Sequence, residues 1–275
     1  MKHKGAIGIF DSGYGGLTVL REIQKRLPEY DFIYLGDNAR TPYGSRSFDT
    51  VYQYTRQCVQ WLFEQQCPLV VLACNTASAK ALRNIQQIDL PVWNEDRRVL
   101  GVIRPTAEVI GKYSKTGQIG ILATNGTVQS GSYVLEIKKI SPEVEVFQQA
   151  CPLWVPLIES DEQHTEGAAY FIRRDVERLL AKSPGIDTIL LGCTHYPLLV
   201  EEITKYLPSY VRLVSQGEIV ADSLASYLKR HPRMDARLEK QGLPSFYTTD
   251  SALDFERHST AFFGKKVQTI HVDIG

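Results

Sequence analysis

The chain has 275 residues, 43% of them apolar and 23% charged, with 31 Lys plus Arg balanced by 31 Asp plus Glu. That length admits one large domain or two moderate ones. The composition is that of a soluble globular protein, and zero net charge without basic clusters argues against a nucleic-acid surface. No stretch approaches the roughly 20 apolar residues of a membrane span. The first apolar run is stopped by Asp11, too early for a signal peptide, so the expected location is the cytoplasm.

In chain order, residues 6–10 read as a short apolar strand, followed by Asp11-Ser12-Gly13-Tyr14-Gly15-Gly16 and a helix with apolar spacing from Leu17. The Gly-rich turn lacks the Lys-Ser/Thr of a P-loop and does not match G-x-G-x-x-G. It reads as a tight turn that leaves Asp11 and Ser12 at a strand's carboxyl end, beside amides able to hold an anion. A strand over 32–35 leads into a polar loop, 36–47. That loop is either a surface connection or a substrate loop offering Tyr43 and the amide of Gly44. A helix over 49–66 precedes the apolar run Leu69-Val70-Val71-Leu72, which ends in Ala73-Cys74-Asn75-Thr76. A helix over 77–88 follows. The polar centre of residues 89–100, Asn94 to Arg98, reads as an exposed crossing and a domain boundary.

A second unit opens at 118–123, where Ile119-Gly120-Ile121 repeats Ile7-Gly8-Ile9, and Thr124-Asn125-Gly126 is again small and polar before a helix. A strand over 144–148, the Pro-rich run from Cys151 to Glu159 and a helix over 167–182 come next. The apolar run 188–191 then ends in Gly192-Cys193-Thr194-His195-Tyr196-Pro197. Helix, strand (211–214), helix (218–229) and two strand-like segments (246–250 and 266–272) complete the chain. Alternating strands and helices predict an α/β fold with mostly parallel sheets. The matched anchors predict two similar domains related by a pseudo-twofold axis, with an active site in the cleft between them. The first would hold residues 1–99 and 213–275, and the second residues 100–212.

Five widely spaced cysteines without a C-x-x-C pair do not suggest a disulfide framework or structural zinc. Cys58 and Cys67 read as packing thiols, and Cys151, before Pro152, is ambiguous. Cys74 and Cys193 stand apart, because each ends a buried strand and precedes a helix start. That place belongs to active sites of open α/β sheets and lowers a thiol's pKa toward neutrality. Aligning the two units sets Asp11 against Ala123 and Thr76 against His195. One thiol therefore has a carboxylate near it and the other an imidazole. The alternatives are a helix cap for Asp11 and a hydrogen-bonded structural role for His195. Two pseudo-equivalent thiols suit a reaction that treats two faces of one substrate alike. Racemisation next to a carboxylate is such a reaction: a thiolate removes a proton from one face and a thiol returns one to the other. Ser12, Asn75, Thr76 and Thr194 are the polar groups available to stabilise the carbanion.

The set Asp11-Ser12-Gly13, Thr41-Pro42-Tyr43-Gly44, Ala73-Cys74-Asn75-Thr76-Ala77, Gly101-Val102-Ile103-Arg104-Pro105, Gly192-Cys193-Thr194-His195-Tyr196-Pro197 and Phe246-Tyr247-Thr248-Thr249 resembles the glutamate racemase family over nearly the whole chain. The resemblance implies interconversion of L- and D-glutamate without cofactor or metal, supplying D-glutamate for peptidoglycan. It also implies two α/β domains across a cleft and a homodimer. By position, Cys74 would act on D-glutamate and Cys193 on L-glutamate, assisted by Asp11 and His195. Glu159 would orient the histidine, although Glu162 lies close by. Ser12, Tyr43, Gly44, Asn75, Thr76 and Thr194 would hold the substrate beside Asp11 and His195. The chain departs from the family's pattern at residues 93–100, an insertion expected in the interdomain crossing. The rival readings are an aspartate or hydantoin racemase, or a two-lobed binding protein without catalysis.

Overall fold

A computed structural model describes residues 4–93 and 96–274; Met1 to His3, and Asn94 and Glu95 of the expected crossing, lie outside the described residues. Strands β1 (Ile7–Asp11), β2 (Phe32–Gly36), β3 (Leu69–Leu72), β4 (Arg98–Gly101), β9 (Pro244–Thr248) and β10 (Thr269–His271) form one sheet in the order β10-β9-β2-β1-β3-β4. Strands β5 (Gln118–Ala123), β6 (Glu145–Ala150), β7 (Thr188–Gly192) and β8 (Arg212–Val214) form a second sheet in the order β6-β5-β7-β8. Every strand pairing is parallel. Parallel neighbours need helical crossovers on both faces, and this is why β1, β3, β5 and β7 read as unbroken apolar runs.

The two sheets share one wiring. β2-β1-β3-β4 and β6-β5-β7-β8 place the first strand of each unit between its second and third, with the fourth at the edge. The registers agree as well: Phe10 lies opposite Leu72 in one sheet and Leu122 opposite Leu191 in the other. Each thiol therefore sits two residues beyond a matched pair. The repeated Ile-Gly-Ile has a packing role in the second unit. A Cβ on Gly120 would come within 2.7 Å of Leu179, on the helix Glu166–Leu180 that covers the sheet.

Two stretches differ from expectation. The run from residue 77 is not one helix: α3, numbered after α1 (Gly16–Arg26) and α2 (Phe48–Glu64), covers Asn75–Lys80. It is followed by a single turn at Leu82–Asn84, a π-helical stretch at Ile85–Asp89 and a turn at Leu90–Trp93. The expected exposed crossing is also largely structured. Asp89 is buried and takes Arg56 and Tyr52 at 2.8 Å each, and Trp93 packs edge-on to Phe63. Val99, buried, belongs to β4. The insertion at 93–100 thus supplies much of an edge strand of the first sheet. The chain leaves that sheet after Gly101 and leaves the second after Val214, so limits at 99/100 and 212/213 fall within β4 and β8. On its return, helix Gly217–Arg230 lays Val220, Leu224 and Leu228 against α1, whose Val19, Leu20 and Ile23 share its core cluster. Full burial of each such side chain contributes about 1.5–3 kcal/mol.

Candidate active site

Because β1 and β3 are parallel neighbours, Ser12 and Cys74 emerge side by side at the carboxyl edge of the first sheet. β5 and β7 bring out Thr124 and Cys193 in the same way. These turns surround a cavity of about 110 Å³, enough for a few waters or one small polar molecule. Of the residues expected from the sequence, Ser12, Tyr43, Gly44, Cys74, Asn75, Thr76, Cys193, Thr194 and His195 all line it. Asp11 and Glu159 do not reach the wall. They stand directly behind residues that do.

Cys74 is buried; its Sγ donates to Ser12 Oγ at 3.5 Å and accepts from the Ala77 amide at 3.4 Å. Burial, reinforced by the Asp11 carboxylate, pushes this thiol up to about 12. The expectation of a lowered pKa at the helix start is therefore overturned. The Ala77 amide acts in the expected direction, but desolvation and a nearby negative charge outweigh it. Asp11 is wholly buried, and burial raises its own pKa. It accepts the Gly13 amide at 3.0 Å and the Thr194 hydroxyl at 3.3 Å. It is not the cap of α1, whose first residue follows Gly15.

On the other side, Cys193 Sγ lies 4.0 Å from His195 Nδ1, and His195 Nε2 lies 2.8 Å from Glu159 Oε1. Glu159 ends the helix Trp154–Glu159; Glu162 is exposed and does not take this place. Burial works against a charged imidazole here, but the Cys193 sulfur and the Glu159 carboxylate on opposite sides of the ring outweigh it and raise His195 to about 10. Its two partners thus favour the protonated imidazole, with Nδ1 facing Cys193 and Nε2 facing Glu159.

The remaining groups tie the units together. Thr76 Oγ1 lies 2.9 Å from Thr124 Oγ1, and Thr18 donates to the Thr194 carbonyl at 2.9 Å. Tyr43 gives its hydroxyl to Asp37, so what it offers the cavity is its carbon frame and backbone. Asn75 Oδ1 accepts from Tyr133 at 2.6 Å. Thr124, Asn125, Cys151, Pro152, Val155 and Pro156 also line the cavity and were not singled out from the sequence. The repeat could have found Thr124, which stands where Ser12 stands in the first unit. Gly15 belongs to the glycine-rich turn, but its contact with the second unit is not encoded locally. A Cβ there would fall 2.3 Å from both His195 Nδ1 and Thr194 Oγ1, so the N-terminus of α1 closes onto the second thiol's turn only because it carries no side chain. Among the described residues no group of three or more His, Cys, Asp or Glu is placed to hold a metal ion, and no helix is long and apolar enough to cross a membrane.

Two units of one α/β wiring, each presenting a cysteine to a shared cavity, define a two-unit parallel α/β protein with a thiol-lined site. The family model described as Asp/Glu/Hydantoin racemase matches residues 8–224, and the chain belongs to that family. It is 41% identical over 267 residues to a glutamate racemase of Geobacter metallireducens, spanning 97% of this chain and 95% of the relative. The crystal structure of a glutamate racemase isoform from Bacillus anthracis superposes with a TM-score of 0.89 at 34% identity, covering 100% of this chain and 99% of that one. A Francisella tularensis glutamate racemase in complex with D-glutamate superposes at 0.87 with 31% identity, covering 98% of each chain. Within the family its place is with the glutamate racemases, isomerases of an amino acid.

Proposed function

We propose that this chain interconverts L- and D-glutamate by moving the α-proton between two thiols, without a cofactor. The observation that carries this reading is the emergence of Cys74 and Cys193 from equivalent strand ends into one cavity. The thiolate of one cysteine takes the α-proton as the Cα–H bond breaks. The thiol of the other gives its proton to the opposite face as the new C–H bond forms. Cys193 serves as base toward L-glutamate and Cys74 toward D-glutamate. After each turnover the protonation states of the two sulfurs have exchanged.

The remaining residues take supporting roles. Asn75, Thr76 and Thr194 hold the substrate and stabilise the charge developing on its carboxylate, with Ser12 and the backbone of Tyr43 and Gly44 beside them. His195, oriented by Glu159, assists Cys193 by stabilising its thiolate, and Asp11 assists Cys74. With its pKa raised to about 12, Cys74 rests as the thiol, the form needed to protonate an intermediate made from L-glutamate. Thiolate formation there needs a positive charge to offset Asp11, and the substrate ammonium supplies one. The lobes are the units built on the two sheets, and the family resemblance further implies a cytoplasmic homodimer that supplies D-glutamate for peptidoglycan.

The test is incubation of D-glutamate with dialysed, reduced protein in deuterated water, following optical rotation and α-deuterium together. Loss of rotation with deuterium in the newly formed L-enantiomer is expected. Cys74→Ser and Cys193→Ser should each lose racemisation by about 10³-fold or more. A variant as active as the wild type would remove the two-thiol mechanism. Turnover of aspartate or a hydantoin with glutamate untouched would replace the substrate.

A further inference from the structure

Asn75 is buried and faces the cavity, and its Nδ2 has no hydrogen-bond partner in the protein. Behind it runs a chain of buried polar groups whose donor and acceptor directions can be assigned. The Val102 carbonyl can only accept. It takes the only Thr106 hydroxyl proton at 2.9 Å, so Thr106 Oγ1 can only accept from Gln216, and the Gln216 amide must point its nitrogen this way. The same Nε2 donates to Thr106 Oγ1 at 2.8 Å and to the Tyr133 hydroxyl oxygen. With that oxygen accepting from Gln216, the single proton of Tyr133 goes to Asn75 Oδ1, 2.6 Å away. The Asn75 amide is thereby locked with its oxygen toward Tyr133, leaving Nδ2, which has no partner in the protein, for a ligand at the wall that Asn75 lines. Its orientation follows from the network, outward from one carbonyl.

We propose that Tyr133 and Gln216 are positioning residues that fix the Asn75 amide so that it donates to a carboxylate of the bound substrate. This rests on the glutamate reading above. Neither residue touches the cavity, and both act through Asn75. An amide free to turn over would present its oxygen to a carboxylate for part of the time, which is repulsive, so the lock selects for an anionic group at this wall. Gln216 and Val102 also stand at the two places where the chain passes between sheets, just after β8 and just after β4. The orientation of a substrate-facing amide is therefore set from the two connections themselves.

The experiment compares Tyr133→Phe, Asn75→Ala and the double variant with the wild type, measuring KM and kcat for D- and L-glutamate and the D-glutamate Kd by calorimetry. Tyr133→Phe keeps the buried ring, and a thermal melt checks that it folds. It is expected to raise KM and Kd about tenfold, the loss of one hydrogen bond to a charged group, with kcat within about twofold. The double variant should be no weaker than Asn75→Ala alone, because the hydroxyl acts only through that amide. Unchanged KM in a folded Tyr133→Phe, or losses that multiply in the double variant, would overturn the assignment. Gln216→Glu gives an independent reading: a carboxylate reverses the Tyr133 proton and turns the Asn75 oxygen to the cavity, so KM should rise further than in Tyr133→Phe, and an unchanged KM counts against the lock. Failure of the underlying function is distinguishable, since it appears as a wild type that neither converts nor binds glutamate.

Discussion

The Asp11 carboxylate accepts a hydrogen bond from Thr194, 183 positions away, at 3.3 Å. The acid that ends β1 of the first sheet thus touches the residue between Cys193 and His195 of the second. Each thiol's neighbourhood is completed from the opposite half of the chain. His195 is likewise held against Gly15 of the first unit, and Thr76 against Thr124 of the second. Changes made on one side should register on the other, and three expectations follow from particular contacts.

Glu159→Gln preserves a hydrogen-bonding group 2.8 Å from His195 but removes its charge. With one of its two supports neutral, the imidazole should titrate below its present value of about 10. The alkaline limb of the rate profile should move to lower pH, and kcat/KM should fall by about tenfold to a hundredfold. Because the two enantiomers have equal free energy in water, that fall must be the same in both directions. Circular dichroism assays started from each enantiomer across pH check both points. An unmoved alkaline limb would sever Glu159 from the proton chemistry.

Gly15→Ala meets no backbone objection, since Gly15 has an ordinary right-handed conformation, φ −57° and ψ −37°. What it lacks is room, with the new methyl 2.3 Å from His195 and Thr194. Stability should drop by about 1–3 kcal/mol as the turn is pushed away. Racemisation should suffer far more, by about a hundredfold or beyond, because displacement of His195 and Thr194 disturbs reacting geometry directly. Melting temperature and steady-state rates measured on one preparation separate these effects.

His195 also links stability to pH. Its folded-state pKa, about 10, lies above the ordinary imidazole value near 6.5, so the folded protein holds this proton more tightly than the unfolded chain. The resulting stabilisation is fully present below pH 6.5 and is lost as pH rises from there through about 10. The difference in unfolding free energy between wild type and His195→Gln should be flat in mild acid and shrink across that window. Urea titrations at pH 6, 8 and 10 measure it. A difference that grew with pH would mean that the histidine rests neutral.

Much of this was legible in the sequence, for a physical reason. Parallel strands buried on both faces produce apolar runs, and the small polar residues that stop them mark where side chains can reach a cavity. Cys74 and Cys193 stand out on that basis, as do the neighbours carried on the same turns. What the turns do not encode is what lies behind them. Gly15 lies in a glycine-rich turn and Tyr133 in an ordinary helix, and the importance of each comes from distant partners met only after packing. The Cys74 pKa was misjudged for the same cause: a helix start is local, whereas complete burial beside Asp11 is tertiary. The crossing near residue 98 misled because a polar flank hid the apolar pair Val99-Leu100, which belongs to β4.

The shared wiring of the two sheets has an ancestral consequence. A single unit of this kind, β2-β1-β3-β4 with its helices, owns one thiol and half a cavity wall, so it has no complete site of its own. Two identical copies placed face to face would form a symmetric site with equivalent sulfurs and equivalent assistants. Joining them in one chain frees the halves to diverge. Here the first half carries Asp11 where the second has Ala123, and the second carries His195 where the first has Thr76. The two walls of the cavity thus differ in charge and proton-binding groups, an asymmetry that no symmetric pair of identical subunits can have.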